Sequence, residues 1–99
     1  MLESYIEKKV VTRFKELGWL VRKLSWIGKI GAPDRILMRN GVCIFIEFKN
    51  IGEKPRASQV IEHKKMRSAG MRIYVIDNIE NGIDLAETLT NEIPQKIRP

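Results

Sequence analysis

The 99-residue chain contains one cysteine and one histidine, so by itself it can close no internal disulfide and assemble no Cys/His zinc site. Long apolar runs are missing as well. The longest, Val42 to Ile46, falls far short of the roughly 20 residues a membrane-spanning helix needs. No secretory leader is read ahead of the first helical segment, and a cytoplasmic setting is the expectation. Repeats, low-complexity tracts and long linkers are also lacking. The expected organisation is therefore one domain over residues 1–99, with a core at about 2–77 and a short helix and tail over 78–99. Cys43 lies inside an apolar segment and is expected to be a small core hydrophobe rather than a reactive thiol.

Acids are scarce through most of the chain. Met1 to Ile76 holds sixteen lysines and arginines against seven acids, whereas Asp77 to Glu92 holds five acids and no base; the net charge is +6. A basic body with an acidic end suits nucleic acid, which is bound mainly through its phosphates. The same charge would serve other anions, so the pattern of residues has to decide.

Apolar side chains at Leu2, Ile6, Val10, Phe14 and Leu17, widened by Tyr5 and Val11, recur at helical spacing and predict an amphipathic helix over 2–17 that stops at Gly18. A strand is expected from Trp19 to Leu24, then a glycine-bearing loop to Pro33 and a second strand from Asp34 to Arg39. Asn40-Gly41 predicts a type I′ hairpin turn. The third strand, Val42 to Phe48, is nearly all apolar, as expected of a central strand covered on both faces. A helix over about 56–69, marked by Ala57, Val60, Ile61, Met66 and Ala69, precedes a last strand at Met71–Ile76 and a short helix around Ile83–Leu89. The fold class is α/β in the order α-β-β-β-α-β, with a mixed sheet because the last strand is reached through a helical crossover.

Into the apolar third strand the chain sets Glu47-Phe48-Lys49. Alternate strand residues share a face, so Glu47 and Lys49 point the same way, and isolated charges in such a place are expensive. Antiparallel pairing about Asn40-Gly41 opposes residues whose numbers sum to about 81, which sets Asp34 across from Glu47. Two carboxylates there suit a hard cation such as Mg2+, which prefers oxygen ligands, with the Phe48 backbone carbonyl available to complete the set. Lys49 would sit beside a phosphate, orienting an attacking water or stabilising transition-state charge. The plain alternative is a cross-strand acid pair with Glu47 and Lys49 solvated at a strand end.

The surrounding residues narrow the choice. Gly31-Ala32-Pro33-Asp34 followed by Phe45-Ile46-Glu47-Phe48-Lys49 resembles the PD-(D/E)xK nuclease superfamily, and more specifically its VRR-NUC family. The basic, proline-containing stretch Gly52 to Gln59 and the strand Gly70 to Ile76 are similar to that family's approach to its second helix and its closing strand. The resemblance spans about residues 2–77 and implies a restriction-endonuclease-like core. It implies Mg2+ or Mn2+ held by Asp34 and Glu47, Lys49 as the catalytic lysine and Gln59 as a supporting active-site residue. Such nucleases often draw another acid from the first helix. Glu3 and Glu7 both qualify, and Glu7 better matches the spacing in related Holliday junction resolvases; the plain reading of Glu7 is a solvated helix acid.

Lys29, Arg35, Lys54 and Arg56, with Gly28 and Gly31 in the loop, are the expected DNA contacts, because loops on a rigid sheet concentrate such contacts. Arg35 and Lys49 would also form plain salt bridges with the carboxylates. Trp26 has three readings: stacking on an exposed base, covering the core, or packing on another subunit. Trp19 is read as core and His63 as a surface or interface residue. The resemblance and the small size point to a metal-dependent, structure-selective DNA endonuclease, a homodimer resolving four-way junctions. The competing readings are a flap or nicking nuclease and a non-catalytic DNA-binding module of the same fold, which would be expected to have lost part of the Asp34, Glu47, Lys49 set. A basic interaction protein would explain the charge and leave the motif a coincidence.

Overall fold

The computed structural model describes residues 2–95. Its first helix, α1 (Glu3–Glu16), buries Ile6, Val10, Val11 and Phe14 as one stripe, while Leu2 and Tyr5 at its start stay exposed. Leu2 supplies no side-chain cap. The Glu3 N–H instead donates to Asn50 Oδ1 at 2.6 Å, so a distant loop satisfies one of the first-turn donors. Gly18, with φ +94°, ends the helix in the left-handed region.

The strands β1 (Leu20–Lys23), β2 (Arg35–Arg39), β3 (Val42–Phe48) and β4 (Arg72–Ile76) lie side by side in chain order. The first three are antiparallel and β4 runs parallel to β3, reached through α2 (Ala57–Ser68). The sheet is mixed, as expected, and β3 is an inner strand. Asn40 (φ 45°) and Gly41 (φ 76°) both take positive φ, as the type I′ turn demands. Pairing of Arg35 with Ile46, Ile36 with Phe45 and Leu37 with Ile44 fixes the expected register; one more step sets Asp34 against Glu47.

That register sorts β3 by parity. Ile44, Ile46 and Phe48 join α1, Val21, Leu37 and Ile76 in the apolar core. Phe45, Glu47 and then Lys49 take the opposite face, where α2 lies. Cys43 shares that second face but sits near the hairpin end and is exposed. It is not the core residue expected, because α2 covers only the far end of the strand.

The final helix is longer than the sequence suggests. In place of a short piece at 83–89, α3 runs from Ile79 to Glu92 and packs on α1. Asn78 caps it, accepting from the Asn81 N–H at 2.8 Å. Gly82, a poor helix former, conceals this start. It stands there because a Cβ would lie 2.3 Å from Val10 Cγ2 of α1, so only glycine lets the two helices approach this closely. Gly82, Ala86, Leu89 and Ile93 form the buried stripe. Trp19 is core, as expected: it meets Phe14 edge to face with centroids 5.4 Å apart, and its Nε1–H donates to Thr90 Oγ1 at 2.8 Å. No described helix is long and apolar enough to cross a membrane.

Candidate active site

Strand alternation and the β2–β3 register bring Asp34, Glu47 and Lys49 to one end of the sheet. Glu47 is 2% exposed and Lys49 5% exposed, and Lys49 Nζ stands 3.3 Å from Glu47 Oε2. The pair is buried, not solvated at a strand end. Asp34 Oδ2 accepts from the Phe48 N–H at 2.8 Å, which locks the start of β2 to the end of β3. Among the described residues, Glu47 Oε1 is buried with no hydrogen-bond partner. A buried carboxylate oxygen left alone is costly unless something positive meets it.

The acidities agree with that geometry. Burial, and then the charge of Asp34, push the Glu47 carboxyl up to about 7 against the pull of Lys49 and Gln59. Asp34 is also raised, first by burial, then by Glu7, although the Phe48 N–H favours its charged form. Two buried carboxylates, one of them hindered from ionising by the charge of the other, form a site a cation would relieve. No group of three or more His, Cys, Asp or Glu side chains among the described residues forms a ready-made cation cage. The donor set is therefore two carboxylates plus whatever backbone and water supply, a pattern that suits Mg2+, which keeps several waters.

Gln59 is placed by its own helix. Its Oε1 accepts from the Arg56 N–H at 2.9 Å, one half of a capping box, and this leaves Nε2 to donate to Glu47 Oε2 at 2.7 Å. The third residue of α2, which closes the capping box, is thus also the group that orients Glu47. Glu7 reaches the same end of the sheet from the other side, since Arg35 next to Asp34 points toward α1. Arg35 Nε donates to Glu7 Oε2 at 2.6 Å, so the two residues hold each other. Glu3, passed over in favour of Glu7, also enters this field. Its carboxyl is raised by burial and by Asp34, and lowered by Lys49. The Glu3 N–H is bonded to Asn50 in the loop after β3, a contact that no sequence periodicity signals.

The inward face of α2 is polar. Gln59, Glu62, His63 and Met66 turn toward the sheet, while Val60 and Ile61, two of the residues that mark the helix in the sequence, are 52% and 58% exposed. His63 is 1% exposed and packed inside the domain, not the surface or interface residue expected. Burial, and then the charge of Arg67, hold its imidazole below the usual range. α2 covers a face already occupied by Glu47 and Lys49, so polar residues are the complementary choice and hydrophobic periodicity does not mark its inward side.

Of the loop residues, Gly31 (φ +98°) lies against α2: a Cβ there would meet Ser58 O at 2.7 Å. Gly28 (φ +73°) faces open space. Lys29, Gly31, Arg56 and Gln59 line one cleft beside Glu47. Lys54 lies in the exposed loop after β3, and Arg35 is engaged with Glu7.

No protein-family model matches the chain. It is 36% identical over 77 residues to a protein named "Putative nuclease p44" from Acyrthosiphon pisum secondary endosymbiont phage 1, a match covering 77% of this chain and 83% of that protein. Among solved structures it is similar to a chain described as a VRR_NUC domain, with a TM-score of 0.80 and 37% identity, over 86% of this chain and 94% of the other.

Proposed function

The chain belongs to the VRR-NUC family of nucleases, and from that premise we propose that it is a metal-dependent, structure-selective DNA endonuclease that works as a homodimer on four-way junctions. The observation that carries the metal site is Glu47 Oε1, buried without a hydrogen-bond partner among the described residues, beside the raised carboxyl of Asp34. Asp34 and Glu47 would hold Mg2+ or Mn2+, with the Phe48 carbonyl as a further ligand. Once bound, such an ion acts as a Lewis acid on the phosphate and lowers the pKa of a coordinated water.

The protein's own groups do the rest. Lys49, buried and already fixed 3.3 Å from Glu47, offers its ammonium to charge building on the phosphoryl oxygens. Gln59 holds Glu47 in its orientation through the 2.7 Å amide contact and so acts as a positioning residue. Glu7 is the proposed acid from α1, with Glu3 beside it in the same field. Lys29, Lys54 and Arg56 face the DNA backbone from the two loops, and Gly28 and Gly31 let those loops come close. Arg35 serves the backbone on release from Glu7. The homodimer follows from the proposed reaction: one active centre makes one cut, and resolving a junction needs two.

The test is cleavage of labelled four-way junction, flap, nicked and linear duplex DNA with Mg2+ or Mn2+, comparing wild type with Lys49→Ala and Asp34→Ala. Paired symmetric nicks on the junction are expected, with each variant at least about a hundredfold slower. Cutting of one flap strand alone would replace the junction reading with a flap nuclease. No cutting of any substrate would leave a non-catalytic module. Undiminished cutting by both variants would overturn the site. Sedimentation at several concentrations tests the dimer, and a monomer throughout would refute it.

A further inference from the structure

Between the loop joining β1 to β2 and the start of α2 lies an open cleft of about 340 Å3, lined by Trp26, Lys29, Ile30, Arg56 and Gln59 among others. Its volume falls at the lower end of the range for small-molecule sites. Its lining combines an indole, aliphatic side chains and two cations with the polar side chains of Ser25, Ser58 and Gln59. Lys29 is kept at the cleft by Glu62, 3.9 Å away, whose carboxylate lies behind it on α2. Gln59 is shared ground, because it lines the cleft and also donates to Glu47. One side-chain thickness therefore separates the cleft from the candidate active site.

Trp26 is unusual here. Its Nε1–H is buried and has no acceptor among the described residues, in contrast to that of Trp19, which is hydrogen-bonded to Thr90. An indole N–H deprived of water and partner is unfavourable. No polar contact anchors the ring, so turning it onto a ligand sacrifices no hydrogen bond. Gly31 lets the loop lie close to α2 at the cleft: a Cβ there would meet Ser58 O at 2.7 Å and Glu62 Cβ at 2.9 Å, and its φ of +98° disfavours other residues as well.

We propose that this cleft seats one unpaired nucleotide of the DNA strand adjacent to the phosphodiester at Glu47 and Lys49, its base against Trp26 and its phosphate held by Lys29 and Arg56. A base within a duplex is stacked on both faces and cannot enter a concave site, whereas an unpaired base can present a face to an aromatic ring at little cost. The cations alone would suit any phosphate; the indole and the aliphatic wall add the requirement for an exposed base. The inference rests on the nuclease reading and gives it a physical source of structure selectivity. Strands at a branch point, frayed or flipped out, would fill the cleft, and continuous duplex would not.

The experiment uses Trp26 as its own reporter, in EDTA so that no cleavage occurs. In a Trp19→Phe background, emission is followed while an oligothymidylate, a duplex of equal length, and inorganic phosphate are titrated separately. The single strand is expected to quench Trp26; the duplex and phosphate, at equal concentration, are expected to leave it unchanged. Because Trp19 is a core residue, the same question is put to the otherwise native chain by anisotropy of labelled DNA. There Trp26→Ala should weaken single-strand binding about tenfold or more relative to duplex binding. Quenching by phosphate alone would reduce the cleft to an anion site and overturn the nucleotide. An unmoved emission, or a Trp26→Ala variant that keeps the same single-strand preference, would overturn it as well. A protein that cut no DNA could still pass this test, and an active nuclease could fail it, so the two readings fall separately.

Discussion

On the α1 and α3 side of the sheet, β3 contributes Ile44, Ile46 and Phe48, each fully buried among other apolar groups. On the α2 side the same strand contributes Phe45, Glu47 and then Lys49, met by Gln59, Glu62 and His63. The first face has what a small domain needs for stability: apolar area removed from water and close packing. The second buries charges and imidazole in the same sheet, which costs free energy unless each group is partnered. Its partnering is incomplete, since Glu47 Oε1 and His63 Nε2 find no hydrogen-bond partner among the described residues. A sheet with one dry face and one polar face thus separates folding from chemistry, and local rules of burial are broken where the site lies.

Breaking the dry face should have the largest effect on folding. Phe14 is fully buried and packs edge-on against Trp19. Phe14→Ala is expected to lower stability by about 3–5 kcal/mol, measured by urea denaturation. A loss below about 1 kcal/mol would mean that this face is not the source of stability.

The polar face should answer to pH instead. The Glu47 carboxyl ionises near 4.5 when unfolded and at about 7 in the folded chain. Between those values the folded state holds the extra proton, so this group's contribution falls as pH rises from about 4.5 to 7 and stays lost above. The size is about 3 kcal/mol at most, from 1.36 kcal/mol per pH unit. His63, whose pKa is lowered, acts in the opposite sense below its ordinary value, but it is present in both wild type and Glu47→Gln and cancels in their difference. Without metal, the stability of Glu47→Gln relative to wild type should therefore rise between pH 5 and pH 8, whatever the offset from leaving Lys49 unpaired. Added Mg2+ should stabilise the wild type at pH 8 and leave Glu47→Gln unmoved. A flat difference across that range would mean that Glu47 is not held in an uncompensated site.

A smaller effect tests how the dry face is closed. Gly82→Ala brings a Cβ against the branched, inflexible Val10 side chain and should cost about 1–3 kcal/mol, even though alanine is the better helix former. Val10→Ala added to Gly82→Ala should recover part of that loss, while the two alone should each be destabilising. Additive losses would place the strain elsewhere.

The two faces were also unequally legible in the sequence. The dry face follows from periodicity alone: the stripe at Ile6, Val10 and Phe14, the Asn40-Gly41 turn and the apolar β3 all report local preferences that the fold keeps. The pairing arithmetic about the turn then located Asp34 opposite Glu47 without further information. The polar face escapes periodicity, because the inward residues of α2 are the ones a hydrophobic pattern discards. Hence Val60 and Ile61 mark the helix yet lie outside, and His63 reads as a surface or interface residue yet is buried. The contact between Glu3 and Asn50 joins residues 47 apart, and nothing local to either announces it. The start of α3 was hidden for a related reason: Gly82 answers to a neighbour on α1 and not to its own helix.

Cys43 gives the finest test of where the polar face ends. Apolar neighbours on both sides made it look like core, but parity assigns it to the α2 side and α2 stops short of the hairpin, which leaves the thiol exposed. Replacing an exposed side chain away from caps and ion pairs changes stability by no more than about 0.5 kcal/mol. Cys43→Ser should stay within that limit, and the native thiol should react fully with a disulfide reagent without denaturant. A buried thiol would do neither: burying a hydroxyl without a partner costs about 1–3 kcal/mol, and the reagent would wait for unfolding. If the thiol proved protected, something would have to cover the α2 side at the hairpin end, and a second copy of the chain would be the first candidate to examine.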